Sequence, residues 1–401
     1  MWRYLLRPIL FRMDAEWVHY FAMNSFTIGL AFPLAKPILS GLATVRDSRL
    51  NVNLLGLVFD NPVGLAAGFD KDARWYNQLS ALGFSHIEVG TLTGQPQDGN
   101  PKKRLFRFAQ DQALLNCMGF NNRGSEAARE SMAAAHKGGQ KNGSILGINI
   151  GLSKTVAVEI SEEADQKKIQ RGGKPLADEE KMKLAQDDYL LSFRRMYDFA
   201  DYFTLNVSSP NTKGLRDLQH PRKIGELISA IRKANLELSV DESKSKPVLV
   251  KLAPDLSDQE LDETLEALLE QKVDGLIATN TTISDENITA PKEVVQSKRC
   301  QCPNPGGGFS GKPLTEVSRQ FVSKVFAKTE GKLPIVGVGG IMSGEDAWKM
   351  LEAGASIVQV YTGFIYGGPF FVKQMNRYLL QRMEKEGVKS INEIVGTAHS
   401  S

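Results

Sequence analysis

Apolar and polar positions along this chain fall into two regimes. From residue 62 onward, short apolar runs alternate with stretches of helical period. Eight runs have strand length: 62–66, 85–89, 145–150, 202–207, 247–252, 275–279, 334–338 and 357–361. Helical patterns follow them near 72–82, 121–137, 187–200, 221–236, 257–271, 313–328, 343–353 and 369–385. One helix start is explicit: Ser257-Asp258-Gln259-Glu260 has the form of a capping box, and Leu261, Leu265, Leu268 and Leu269 follow on one face. Eight strand–helix units in series predict an α/β fold, a (β/α)8 TIM barrel, with a doubly wound sheet as the alternative. Residues 50–60 read as a small hairpin before the first strand, placed to plug the barrel bottom.

Residues 1–40 behave differently. Arg3, Arg7 and Arg12 stand without an acid in the first 13 residues, and 17–35 is a run of 19 residues lacking Asp, Glu, Lys and Arg. A spanning helix needs about 20 predominantly apolar residues, and this run holds His19, Asn24, Ser25, Thr27 and Pro33. Asp14 and Glu16 precede it, which does not suit a secretory signal. The pattern predicts two short helices. Asp14 caps the first, which carries Trp17 and Phe21. The second carries Leu30, Leu34 and Ile38 and bends near Pro33. Aromatic faces with basic ends suit a membrane interface, and packing on the protein's own core is the other use of such helices. The expected division is a helical module over 1–45 and a barrel over 46–401.

Composition narrows the function classes. The 401 residues carry 49 Lys+Arg against 46 Asp+Glu, a net charge of +3, too balanced for a nucleic-acid backbone binder. Three cysteines, Cys117, Cys300 and Cys302, exclude a fully paired disulfide framework and point to a reducing compartment. Five scattered histidines without HExxH, and a Cys-x-Cys pair whose third ligand would be the distant Cys117, argue against a metal site. Two segments interrupt the alternation. Residues 159–183 are dense in both charge signs and read as a solvated insertion. Residues 284–308 hold Cys300-Gln301-Cys302 and a Pro/Gly-rich stretch.

Chemistry in such a barrel sits at the C-terminal strand ends. There the sequence places Gly64 to Asp72 with Lys71, Gly90-Thr91, Asn149, Asn206 to Asn211 and Thr279 to Thr282, and a loop carries Asn116 to Asn122. Amides dominate. Such a lining suits a flat ligand with alternating C=O and N–H edges, and the small Ala66, Ala67 and Gly68 let a ring approach the backbone. Lys251 interrupts an apolar strand with no acid beside it on that strand, so an anionic ligand or a reduced cofactor is its expected partner. Gly339-Gly340 and Thr362-Gly363 close the last two strands, where barrels commonly hold a phosphate. A phosphate beside a flat polar ring suggests FMN. The absence of GxGxxG on the first strand argues against a Rossmann NAD site.

These segments resemble the dihydroorotate dehydrogenase family, and within it the membrane-associated, quinone-dependent class 2. The resemblance rests on GLAAGFDKD (64–72), NCMGFNN (116–122), GINIG (147–151), NVSSPNT (206–212), KLAPDLS (251–257), ATNTT (278–282), FSGKPL (309–314), GVGGI (337–341) and VQVYTGFIYGGP (358–369), in order over nearly the whole chain. It implies oxidation of (S)-dihydroorotate to orotate in pyrimidine biosynthesis, with FMN as hydride acceptor and a membrane quinone as the final oxidant. By the same resemblance Ala66, Ala67, Gly68, Thr91, Asn149, Asn206, Lys251, Thr279, Gly311, Gly340, Tyr361 and Thr362 match FMN-binding positions. Lys71, Asn116, Cys117, Met118, Gly119, Phe120, Asn206, Asn211, Asn280 and Thr281 match substrate-binding positions. Ser209 matches the catalytic base, where class 1 members carry Cys, and His19 and Arg107 resemble residues of a quinone tunnel. A peripheral protein on the cytoplasmic face of a bacterial inner membrane is expected, with the mitochondrial inner membrane as the alternative. Three other readings stand beside this one: a class using fumarate or NAD, an FMN barrel for a 2-hydroxy acid, and a catalytically silent membrane-surface protein.

Overall fold

The computed structural model describes residues 2–136, 143–171, 173–212, 214–302 and 306–399. All eight expected strands form: β1 (Val63–Leu65), β2 (His86–Leu92), β3 (Ile145–Ile150), β4 (Tyr202–Asn206), β5 (Val248–Leu252), β6 (Gly275–Ala278), β7 (Ile335–Val338) and β8 (Ile357–Val360). Each pairs in parallel with the next, and β8 returns to β1, so the sheet closes. This settles the choice against an open doubly wound sheet.

Strands covered on both faces read as continuous apolar runs. The few polar interruptions therefore mark what faces inward. Glu88, Asn149, Thr204, Asn206, Lys251 and Gln359 are all buried. Hydrogen bonds across the barrel join Glu88 to β3, β4 and β8. The barrel bottom is closed by the expected hairpin, Val52–Leu54 with Leu57–Phe59. The Phe59 ring stands edge-on to the buried His86 at 5.3 Å, and burial holds that imidazole down to about 3.

The N-terminal segment is helical in four pieces. Trp2–Leu6 and Arg7–Leu10 are short. α1 (Ala15–Leu30) is capped by Asp14, which accepts from the Trp17 N–H at 2.9 Å, and α2 (Ala35–Ala43) follows at a bend of 113°. The expected second helix is corrected here. Leu30 closes α1 instead of opening α2, because Pro33 and Leu34, at φ 65°, break the chain between them. Among the described residues no single helix is long and apolar enough to cross a membrane.

α1 is fastened to the barrel by a buried ion pair. Arg104 donates to Glu16 at 2.6 and 3.0 Å, both side chains are 7% exposed, and the other guanidinium nitrogen reaches the carbonyls of Asp98 and Asn100. Removing one partner strands a buried charge, which costs about 3–5 kcal/mol. Glu16→Ala is therefore expected to lose stability in that range by denaturant titration. A loss under about 1 kcal/mol would mean that the pair is not desolvated in solution.

The charged insertion is more ordered than its composition implies. Lys154–Glu159 and Glu162–Gln170 are helices, and Asp178–Met196 begins inside it. Ser161 caps the second helix, with Glu162, Glu163 and Asp165 in its first turn and Lys167 and Lys168 in its last. Caps and dipole pairing thus supply what apolar period does not. Most of its side chains face solvent, as expected.

A second correction concerns sulfur. Cys117 and Cys302 form a disulfide with Cα atoms 5.7 Å apart, leaving Cys300 free and exposed. The cause is a small sheet above the barrel mouth. Ala113–Asn116 pairs antiparallel with both Leu105–Phe108 and Gly308–Gly311, with Gly308 opposite Asn116. That register carries two cysteines 185 residues apart in sequence to one place. Pro303 to Pro305 of the Pro/Gly-rich stretch lie outside the described residues.

Candidate active site

The first β-strand ends in Ala66-Ala67-Gly68, and the loop after it is pinned by Asp70. This buried carboxylate accepts from the N–H groups of Arg74 and Trp75 at 2.8 and 2.7 Å, and burial raises it to about 6. The turn needs Gly68 at φ 98°, where a Cβ would also touch the Tyr361 ring at 3.4 Å. The anchored loop presents Lys71 to the barrel mouth, where burial, with Arg104 nearby, holds its ammonium down to about 8.

Across the mouth, amides and hydroxyls are hydrogen-bonded to one another. Thr91 Oγ1 donates to Asn149 Oδ1 at 2.6 Å. Asn206 Nδ2 donates to Thr91 Oγ1 at 2.9 Å, and Asn280 Nδ2 to Ser208 Oγ at 2.9 Å. Asn211 Nδ2 reaches the Asn116 carbonyl at 3.1 Å. Strands β2, β3 and β4 and the loops after β4 and β6 are joined by these bonds.

Above these residues lies a cleft. Ala66, Ala67, Gly68, Lys251, Thr279, Gly311, Gly340, Tyr361 and Thr362 line it, together with Lys71, Asn116, Asn280 and Thr281. Its far end is walled by Gly339, Gly340, Thr362 and Gly363. A Cβ at Gly340, which sits at φ 69°, would stand 2.1 Å from the Thr315 nitrogen. Gln359 Oε1 and Thr281 Oγ1 are buried without a hydrogen-bond partner, and both residues line the cleft. An unpaired buried polar atom costs about 1–3 kcal/mol, so the matching occupant offers a donor to the Gln359 oxygen and either a donor or an acceptor to the Thr281 hydroxyl.

A second cavity of about 300 Å³ runs between the N-terminal helices and the barrel. Its walls are mostly apolar: Leu6, Phe11, Val18, Met23, Phe26, Trp75 and Phe364 among them. His19 and Arg107 stand in it. The His19 ring packs edge-on against Phe69 at 4.8 Å and Trp75 at 5.4 Å, and burial, then Lys71, holds it down to about 4. Arg107 donates to the Met13 carbonyl at 2.7 Å and lies 4.7 Å from the centre of the Phe11 ring. Gly68, Lys71, Leu105, Leu114 and Tyr361 line both cavities, so the tunnel and the cleft share a wall.

Some sequence-derived site residues stand apart from the cleft wall. Thr91, Asn149 and Asn206 are hydrogen-bonded to one another at the barrel mouth. Ser209 is buried, and its loop is fixed through Ser208 and Asn211 to Asn280 and Asn116. Met118 lines the tunnel. Gly119 accepts from Gln97 Nε2 through its carbonyl, and Phe120 is buried. Cys117 is corrected: its sulfur is bonded to Cys302, and only its backbone remains for a ligand.

Sequence reasoning missed Glu88. Burial pulls the Lys251 ammonium down and Glu88 counters it, so Lys251 does have an acid inside the barrel. Gln359 was missed too. The signal for both was the one that drew attention to Lys251, a polar residue interrupting an apolar strand: Ile87-Glu88-Val89 and Val358-Gln359-Val360.

A closed parallel barrel with a polar cleft at the C-terminal strand ends defines a (β/α)8-barrel enzyme. The comparisons with known proteins narrow that class. The dihydroorotate dehydrogenase family model matches residues 49–383, and the chain belongs to that family. A dihydroorotate dehydrogenase (quinone) from Christiangramia forsetii is 42% identical over 382 residues, covering 95% of this chain and 99% of the relative. One of the same name from Thermobifida fusca is 40% identical over 399 residues, covering 99% and 96%. A crystal structure of DHODH from Eimeria tenella in complex with ferulenol aligns with a TM-score of 0.74 at 34% identity, covering 92% of this chain and 96% of that one.

Proposed function

We propose that this protein oxidises dihydroorotate to orotate with FMN in the cleft, and passes the electrons to a quinone in the apolar tunnel. The observation that carries this reading is the wall that the two cavities share at Gly68, Lys71 and Tyr361. A polar site and an apolar one thus lie side by side across a few shared residues.

The residues fit FMN. Small side chains on one wall admit a flat ring, the unpaired Gln359 oxygen calls for a donor, the Thr281 hydroxyl takes a donor or an acceptor, and Lys251 in the same lining would meet an anionic edge. The Gly339-Gly340 and Thr362-Gly363 end suits a phosphate. When bound, FMN supplies the two-electron acceptor. Forming the ring double bond also requires loss of a proton, and Ser209 Oγ is the group assigned to take it. A free serine hydroxyl is a weak base, so the proton must move on; Thr212, also buried, is the next hydroxyl on the loop. Lys71 pairs with the substrate carboxylate. Asn116, Asn211, Asn280 and Thr281 offer amide and hydroxyl partners for the ring edges.

The N-terminal residues 1–45 serve as the membrane-facing module of the enzyme, against a barrel over 46–401. Ile28, Phe32, Leu34, Ile38 and Leu42 are exposed along α1, the bend and α2, with Phe32 at 68% and Leu34 at 70%. Such a surface, with Arg3, Arg7 and Arg12 nearby in sequence, suits peripheral binding to an anionic leaflet, here the cytoplasmic face of a bacterial inner membrane. Phe32→Asp with Leu34→Asp is expected to cut co-sedimentation with anionic phospholipid vesicles at least about tenfold, while dihydroorotate oxidation with a water-soluble dye persists. Unchanged pelleting would contradict the membrane assignment. The acceptor is tested by steady-state assays with a short-chain quinone, fumarate and NAD. Turnover with the quinone alone is expected, and turnover with fumarate or NAD would overturn the class.

A further inference from the structure

The barrel holds a charged group that the proposed reaction does not use. Glu88, on β2, is fully buried below the cleft. Its Oε1 accepts from Asn149 Nδ2 at 2.8 Å. Its Oε2 accepts from the Tyr202 hydroxyl at 3.1 Å, the Thr204 hydroxyl at 3.2 Å and Gln359 Nε2 at 3.0 Å. Four donors from three other strands thus converge on one carboxylate. Burial beside that carboxylate raises the Tyr202 phenol far above its ordinary value, so Tyr202 stays a donor. A buried carboxylate is costly unless donors meet its lone pairs, and here four donors do.

An ionised carboxylate only accepts, so it dictates the amides around it. Asn149 must turn its NH2 toward Glu88, which leaves its oxygen to accept from Thr91 Oγ1 and Asn206 Nδ2. Gln359 must likewise donate to Glu88, which leaves its oxygen as the unpaired acceptor at the cleft. Lys251, on the cleft wall, is the cation that Glu88 offsets.

We propose that Glu88 is a positioning residue for the cofactor. Its carboxylate fixes which edge Asn149 and Gln359 turn toward the cleft, and its negative charge offsets Lys251, so that together they set the reduction potential of the flavin. This rests on the FMN reading above. The sign follows from electrostatics. A fixed negative charge inside the barrel would disfavour the more negative reduced form of a flavin held in the cleft. Glutamine in its place removes that charge and presents an NH2 where only donors converge, so at least one neighbouring amide must turn.

The test uses the purified holoprotein with Glu88→Gln and Glu88→Asp. The potential is titrated spectroscopically at the acid end of the stable pH range, where Lys251 keeps its proton in every variant. Glu88→Gln is expected to favour the reduced flavin at least about tenfold over wild type, an upward shift of about 30 mV for a two-electron couple. Glu88→Asp, which keeps the charge, is expected to stay within about threefold, or about 15 mV. An unshifted or lowered potential in Glu88→Gln overturns the proposal, as does an equal shift in both variants, which a packing role would give. Should Glu88→Gln come without flavin, FMN titration decides: wild-type affinity in Glu88→Asp supports the charge role, and loss in both overturns it. A colourless wild-type protein would instead overturn the FMN reading itself.

Discussion

Ser209→Ala is expected to slow reduction of the bound flavin by dihydroorotate by about 10²–10⁴-fold, the range that a positioned general base contributes. Flavin content should not change, because Ala66 to Gly68, Lys251 and Gly340, the groups that fit the flavin, are untouched by the substitution. The loop should also keep its shape. Its ties run through Ser208 Oγ to Asn280 and through Asn211 Nδ2 to Asn116, and among the described residues the Ser209 hydroxyl accepts only the Asn211 N–H, at 3.3 Å. Stopped-flow reduction under anaerobic conditions measures the step alone. Reduction within about tenfold of wild type would remove Ser209 from the base role.

Lys71→Met carries the second large effect. Taking away one partner of a buried charged pair costs about 2–5 kcal/mol, so kcat/KM for dihydroorotate is expected to fall at least about thirtyfold. The pH profile gives an independent check. Burial holds Lys71 down to about 8 in the free enzyme. Its ammonium, and with it carboxylate binding, is complete below that pH and is lost as pH rises through it. An alkaline limb near pH 8 is therefore expected in kcat/KM. In kcat the limb should lie higher, because the bound carboxylate stabilises the ammonium. Lys71→Met should abolish this limb. A limb that survives the substitution would belong to another group.

The barrel was legible because strands buried on both faces leave an unmistakable trace. Runs such as Ile145–Ile150 and Val248–Leu252 are apolar enough to stand out, and the helices between them announce themselves by caps such as Ser257 with Glu260. The cleft was legible for a related reason. Asn149, Asn206 and Lys251 are polar residues at strand positions where burial makes polarity costly without a purpose.

What escaped depended on three dimensions. Glu88 and Gln359 carry the same local signal as Lys251, yet their meaning lies in a bond between strands two and eight, 271 residues apart. The Cys117–Cys302 bond follows from the register of a sheet formed by distant segments. Pro33 marks the bend between α1 and α2 in the sequence, but the left-handed Leu34 that takes Leu30 out of the second helix does not show in an apolar spacing of four. The insertion folds through caps and charge pairing, including Asp165 with Lys181, and not through an apolar stripe.

The central claim is that one polar cleft holds the flavin and receives dihydroorotate while the adjoining tunnel receives the quinone. Anaerobic mixing of the purified protein with dihydroorotate, followed by a short-chain quinone, tests it directly. Rapid bleaching of the flavin band is expected, and its return on adding the quinone. A yellow protein that dihydroorotate does not bleach would contradict the substrate assignment, and one bleached but not restored by the quinone would contradict the role of the tunnel.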